Sequence, residues 1–100
     1  MFWFKRPTAA ERGPAFLKAE GQMAFRVRVK TARHGEVIEV RFTKSGDISP
    51  DGGGYFVRKF LVGSRYFDQA TLEVRFNNRY GNPQANVEGG EVVPLSDWDD

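Results

Sequence analysis

Four cations, Arg26, Arg28, Lys30 and Arg41, are spaced so that strand geometry would set their side chains on one surface, because successive residues of a strand point to opposite faces. Such a surface suits an anionic ligand or an acidic partner. Exposed arginines also stand solvated, with no role, on many proteins. Asp47, Ser49 and Asp51, with Gly52 following, repeat the alternate spacing of the first three ligands of an EF-hand, in which oxygens wrap a calcium ion. The pattern then stops. Arg58 stands where the bidentate glutamate belongs, Pro50 intrudes, and strands are expected on either side, so a plain glycine-rich turn is the better reading and no metal is expected. His34 is the only histidine and cysteine is absent, which leaves zinc clusters, thiol nucleophiles and Ser-His-Asp arrangements without partner groups. His34 reads as a turn residue. The carboxylates fall in loops, on exposed strand positions or in the tail, and Gly52-Gly53-Gly54 leads into a strand rather than a helix N-terminus, so no phosphate loop is present. No cofactor and no catalytic activity are expected.

The elements that would position the arginines follow from alternation. Phe25, Val27, Val29 and Thr31 alternate with Arg26, Arg28 and Lys30, and Ile38, Val40 and Phe42 alternate with Glu39, Arg41 and Thr43. This period of two predicts a hairpin of half-buried strands from Ala24 to Lys44. A two-residue turn at His34-Gly35 would pair Arg33 with Glu36, Val29 with Val40 and Val27 with Phe42. Every apolar residue then shares one face. On the other, Lys30 would meet Glu39 while Arg28 would meet Arg41, a like-charge pair that costs a few tenths of a kcal/mol.

Residues 8–20 have helix-friendly composition, with Thr8 and Glu11 in capping-box spacing, but Gly13-Pro14 interrupts them. A short helical or irregular lead-in is expected, with Phe16 and Leu17 against the sheet. After the loop at 45–54, residues 54–62 (GYFVRKFLV) carry apolar groups on both faces, which predicts a strand packed on two sides or bent around a barrel corner. Tyr66 and Phe67 are expected to cap the core, Thr71 to Phe76 to form another strand, and Ala85 to Glu88 with Glu91 to Leu95 to close a last hairpin around Gly89-Gly90. The segment ISPDGGGYFVRKF, Ile48 to Phe60, resembles the strand-turn-strand centre of cold-shock domains, where a similar Pro-Asp turn precedes a Phe-Val strand. The preceding RFTKSGD lacks that family's glycine-aromatic alternation and Arg58 replaces its histidine, so none of its function is carried over.

At 100 residues and 40% hydrophobic content the chain is one domain, divided as a lead-in at 1–21, a β domain at 22–95 and an acidic tail at 96–100. Five or six short strands predict an all-β fold, a small antiparallel β-barrel or two-layer sandwich. Without cysteine, signal peptide or apolar span, the expected location is the cytoplasm. The net charge of +2 conceals a gradient. Residues 1–33 carry net +6, residues 34–66 net +1 and residues 67–100 net −5, which internal neutralisation or self-association would satisfy. Trp3, between Phe2 and Phe4 ahead of Lys5 and Arg6, adds an aromatic cluster suited to docking. The expected function is a non-catalytic interaction module. It would bind a protein partner through Arg26, Arg28, Lys30, Arg41 and Trp3, with single-stranded nucleic acid as the alternative because basic strands and aromatics are also its binding ingredients.

Overall fold

Alternation along the chain becomes two packed antiparallel sheets in the computed structural model, which describes residues 15–98. Strands β1 (Leu17–Glu20), β2 (Ala24–Thr31) and β3 (Val37–Thr43) form the first sheet, and β4 (Ser49–Asp51), β5 (Gly54–Val62), β6 (Gln69–Phe76) and β7 (Gln84–Glu88) the second. Strand β8 (Gly90–Val92) returns to the first sheet and pairs with β2, and a 3-10 turn at Leu95–Asp97 follows. The two layers make a sandwich rather than a closed barrel. Phe25, Val27, Val29, Val40 and Phe42 from one sheet meet Val57, Leu61, Leu72, Val74 and Phe76 from the other, with Phe16 and Ile48 closing the core. Phe25 lies between Phe42 and Phe76, its ring centroid 5.8 and 5.2 Å from theirs, the offset contacts that aromatic quadrupoles favour.

The expected helical lead-in is corrected where the described residues reach it. From Leu17 the chain is a strand whose Leu17 pairs with Val27 and Glu20 with Ala24. Phe16 is buried and Leu17 packs on the core, as their apolar character required. Pairing with the open side of β2 satisfies the backbone there, and helix propensity loses to that tertiary gain.

The central hairpin forms with the expected faces but a register shifted by two. Val29 pairs with Ile38, Val27 with Val40 and Phe25 with Phe42. A shift of two preserves the buried set, whereas a shift of one would expose it. The shift comes from a wider turn: Thr31 N donates to Glu36 O at 2.8 Å, Gly35 N to Thr31 O at 3.0 Å, and Glu36 N to the Thr31 hydroxyl at 2.9 Å. Gly35 takes the left-handed φ of 69° alone.

The last expected hairpin is also corrected. β7 pairs with β6 in one sheet and β8 with β2 in the other, so Gly89-Gly90 carries the chain across the sandwich. Only glycine fits. A Cβ on Gly89, which sits at φ 87°, would stand 2.6 Å from Gln69 O, and one on Gly90 would strike Lys30 O. The Gly52-Gly53 turn between β4 and β5 uses left-handed φ values of 58° and 88°, the geometry a tight hairpin needs.

Candidate functional site

The basic surface exists, and the register decides what it contains. On the outer face of the first sheet Arg26 stands opposite Arg41, Arg28 opposite Glu39, and Lys30 between Val37 and Glu91. Glu39 therefore meets Arg28 rather than Lys30, and the expected Arg28–Arg41 opposition becomes Arg26–Arg41. That pair is not left to repel. Glu20 on β1 reaches Arg26 Nε at 2.8 Å and Arg41 Nε at 2.9 Å, and Glu39 reaches Arg26 Nη1 at 2.8 Å and Arg28 Nε at 2.9 Å. Trp98 closes the lattice from above, its ring centroid 4.3 Å from the Arg28 guanidinium and 5.4 Å from that of Arg26. Its Nε1 donates to Val93 O at 3.1 Å. Arg26, Arg28, Lys30 and Arg41 are thus brought together as expected. Three of them are already engaged by carboxylates, and such a cation stacked on a ring has lost part of its call on an external anion. Trp3 lies outside the described residues. Glu20 gave no signal of its role in the sequence, because its partners are set by the β1–β2 register.

The half-calcium spacing resolves into local bonds. Asp47 accepts from Thr43 N at 2.8 Å and from Lys59 Nζ at 2.9 Å, while Asp51 accepts from Arg75 Nη1 at 2.6 Å. The Thr43 N–H and the Lys59 ammonium hold the Asp47 carboxyl below the usual carboxylate range. No cluster of three or more metal-ligating side chains occurs among the described residues.

A second constellation sits at the opposite end of β2. Asp68, in the loop between β5 and β6, is buried and collects three donors from the β2–β3 turn: the Thr31 hydroxyl at 2.8 Å, His34 N at 3.1 Å and His34 Nδ1 at 2.8 Å. Burial pushes this carboxyl up. The hydrogen bonds from the His34 ring and the Thr31 hydroxyl, the His34 charge and the His34 N–H outweigh burial and hold it below the ordinary value. An ionised carboxylate only accepts, so the proton on the His34 ring is at Nδ1. The other edge of the ring is left exposed, and its face stacks on Tyr66 with centroids 4.3 Å apart. His34 is a turn residue, as expected, but one with a built partner.

Around this joint the surface is apolar. Glu36 accepts from Arg65 N at 2.9 Å and Tyr66 N at 3.2 Å, and its carboxylate fills the space a side chain at Gly63 would need. This fastens the start of β3 to the end of β5. Phe60 and Val62 point out from the outer face of β5, Tyr66 and Phe67 from the loop that follows it, and Val37 from the start of β3, all exposed, Phe60 at 65% and Phe67 at 72%. Two expectations are corrected here. β5 is packed on one face only: Val57 and Leu61 face the other sheet, while no layer among the described residues lies over the outer face that carries Phe60 and Val62. Tyr66 and Phe67 do not cap the core; the turn that delivers Asp68 inward throws them outward. Phe67 stands at φ 59°, a conformation that costs a bulky residue about 1–3 kcal/mol.

No protein-family model, no curated protein and no solved structure matches the chain. No helix among the described residues is long and apolar enough to cross a membrane.

Proposed function

We propose that the chain is a non-catalytic interaction module that docks a protein partner. The observation that carries this reading is the run of exposed apolar side chains along one stretch of chain, Phe60 and Val62 on the outer face of β5 and Tyr66 and Phe67 in the loop after it. Scattered apolar residues are ordinary on a surface, but three exposed aromatics and a valine within eight residues of an ordered strand and loop have the composition of an interface centre. The basic sheet face is a flank to this centre. Arg41 and Lys30, exposed on that face, would steer an acidic partner by long-range attraction, with Trp3 as a further aromatic anchor.

Protein is favoured over single-stranded nucleic acid because Glu20 and Glu39 already occupy the arginines, so a phosphate would have to displace carboxylates held at 2.8 to 2.9 Å. The test is capture from solution with the Phe60→Ser/Val62→Ser double variant beside the wild type. Capture that falls by about tenfold or more in the folded variant supports the reading. Capture that is unchanged, or salt-sensitive binding of a labelled oligonucleotide that survives the substitution, overturns it.

A further inference from the structure

Between the β2–β3 turn, the β5–β6 loop and Gly89 lies a cleft of about 570 Å³ lined by Arg33, His34, Tyr66, Phe67 and Asp68. We infer that this cleft binds a carboxylate of a partner polypeptide carried next to an aromatic side chain. The inference rests on the protein-docking reading and names the chemistry recognised at one end of that surface.

Three observations lead to it. Arg33 is exposed on the cleft wall and has no ion pair among the described residues. The carboxylate within the cleft, Asp68, is buried with both oxygens engaged, Oδ2 by Thr31 and by His34 N, and Oδ1 by His34 Nδ1. It orients the imidazole by engaging Nδ1, so Nε2 is the ring nitrogen left for a ligand. The opposing wall is aromatic: Tyr66 backs His34, and Phe67 is held outward in a left-handed conformation. The Arg33 guanidinium, set beside an oriented imidazole and an aromatic wall, matches an anionic oxygen pair attached to a flat apolar group. Strain kept in an exposed aromatic, with no burial to compensate it, is where function is expected to have placed it.

The experiment is an NMR titration of the whole chain with short peptide probes. The probes are acetyl-Phe-Asp-amide, acetyl-Gly-Phe with a free C-terminus, and the neutral acetyl-Phe-Asn-amide. The expected result is saturable shifts at Arg33, His34 and Gln69 with an acidic probe, at least about tenfold weaker with the neutral one. Whichever acidic probe binds tighter identifies a side-chain or a C-terminal carboxylate as the source. Arg33→Gln and His34→Asn should each weaken the acidic probe about tenfold. The asparagine amide keeps a donor for Asp68, and Arg33 is a surface residue whose loss leaves the fold intact. Equal affinity for neutral and acidic probes, or shifts at Lys30 and Arg41 in place of the cleft, overturns the inference. The Phe60→Ser/Val62→Ser variant separates the two readings. If it abolishes partner capture while no acidic probe enters the cleft, docking stands and the carboxylate site falls.

Discussion

Asp68 is the residue on which most at this end of the molecule depends. Its carboxylate is the common acceptor for a strand end, a turn N–H and an imidazole, so Asp68→Ala leaves Thr31 and His34 without their partner inside a packed joint. The expected outcome is a melting temperature lower by about 5–10 °C, read by thermal unfolding. His34→Asn should cost less, since a donor survives. Asp47 and Asp68 both have native carboxyls held below their ordinary value. Their contribution is therefore present above the unfolded carboxylate range, near 4, and is lost as pH falls through the lowered native values. Unfolding free energy measured between about pH 5 and 2 should drop more steeply in the wild type than in an Asp47→Asn/Asp68→Asn variant. Phe67 offers the reverse case. Phe67→Asn, at a position of left-handed φ where asparagine is tolerated, should hold stability or raise it by up to about 1 kcal/mol while weakening partner capture. A loss of stability would mean that the exposed ring packs on something in the native state.

At the scale of elements, what was legible in the sequence was whatever alternation encodes. The faces of β2, β3 and β6 could be read because a period of two places Val27, Val29, Val40, Leu72 and Val74 on one side, and each of these is buried. Register was not legible, because a slip of two keeps every apolar residue inside, and the choice rests on turn bonds between Thr31, Gly35 and Glu36 that alternation does not encode. The lead-in was misread because residues 15–20 carry no strong strand pattern; only the open edge of β2 makes them β1. The exposure of Phe60 and Val62 was hidden for a related reason, since an apolar strand face looks the same in sequence whether or not a further layer packs over it. The His34–Asp68 joint left no local signature at all. Close passage at Gly89-Gly90 can be tested directly: Gly89→Ala should cost about 2 kcal/mol or more in denaturant unfolding, from left-handed strain together with the clash on Gln69 O. By comparison Leu72→Ala, which empties the centre of the core, should cost about 2–5 kcal/mol.

Over the whole molecule, the charge gradient along the chain is folded partly into internal neutralisation. The acidic last third returns to the basic first third, with Glu91 on β8 beside Lys30 and Trp98 laid across Arg28. Trp98→Ala should therefore release the arginine face, with about 0.5–2 kcal/mol lost in unfolding and an increased affinity for polyanions at low salt. If polyanion affinity does not change, the arginines are held by Glu20 and Glu39 alone.

The crossing of β8 also sets an order of events during synthesis. β2 emerges early, yet one of its flanks is finished by Val92 pairing with Val29 and by Val93 N donating to Arg28 O. Until residues 90–93 have left the ribosome, the far half of β2 keeps an open strand edge that β8 alone pairs. A growing chain of this protein is therefore a client for any factor that shields nascent strands, and a stall near residue 89 would leave a tethered, adhesive half-sheet instead of a smaller folded domain. Ribosome-bound chains arrested at that point should be protease-sensitive throughout, whereas chains extended clear of the exit tunnel should acquire protection in one step.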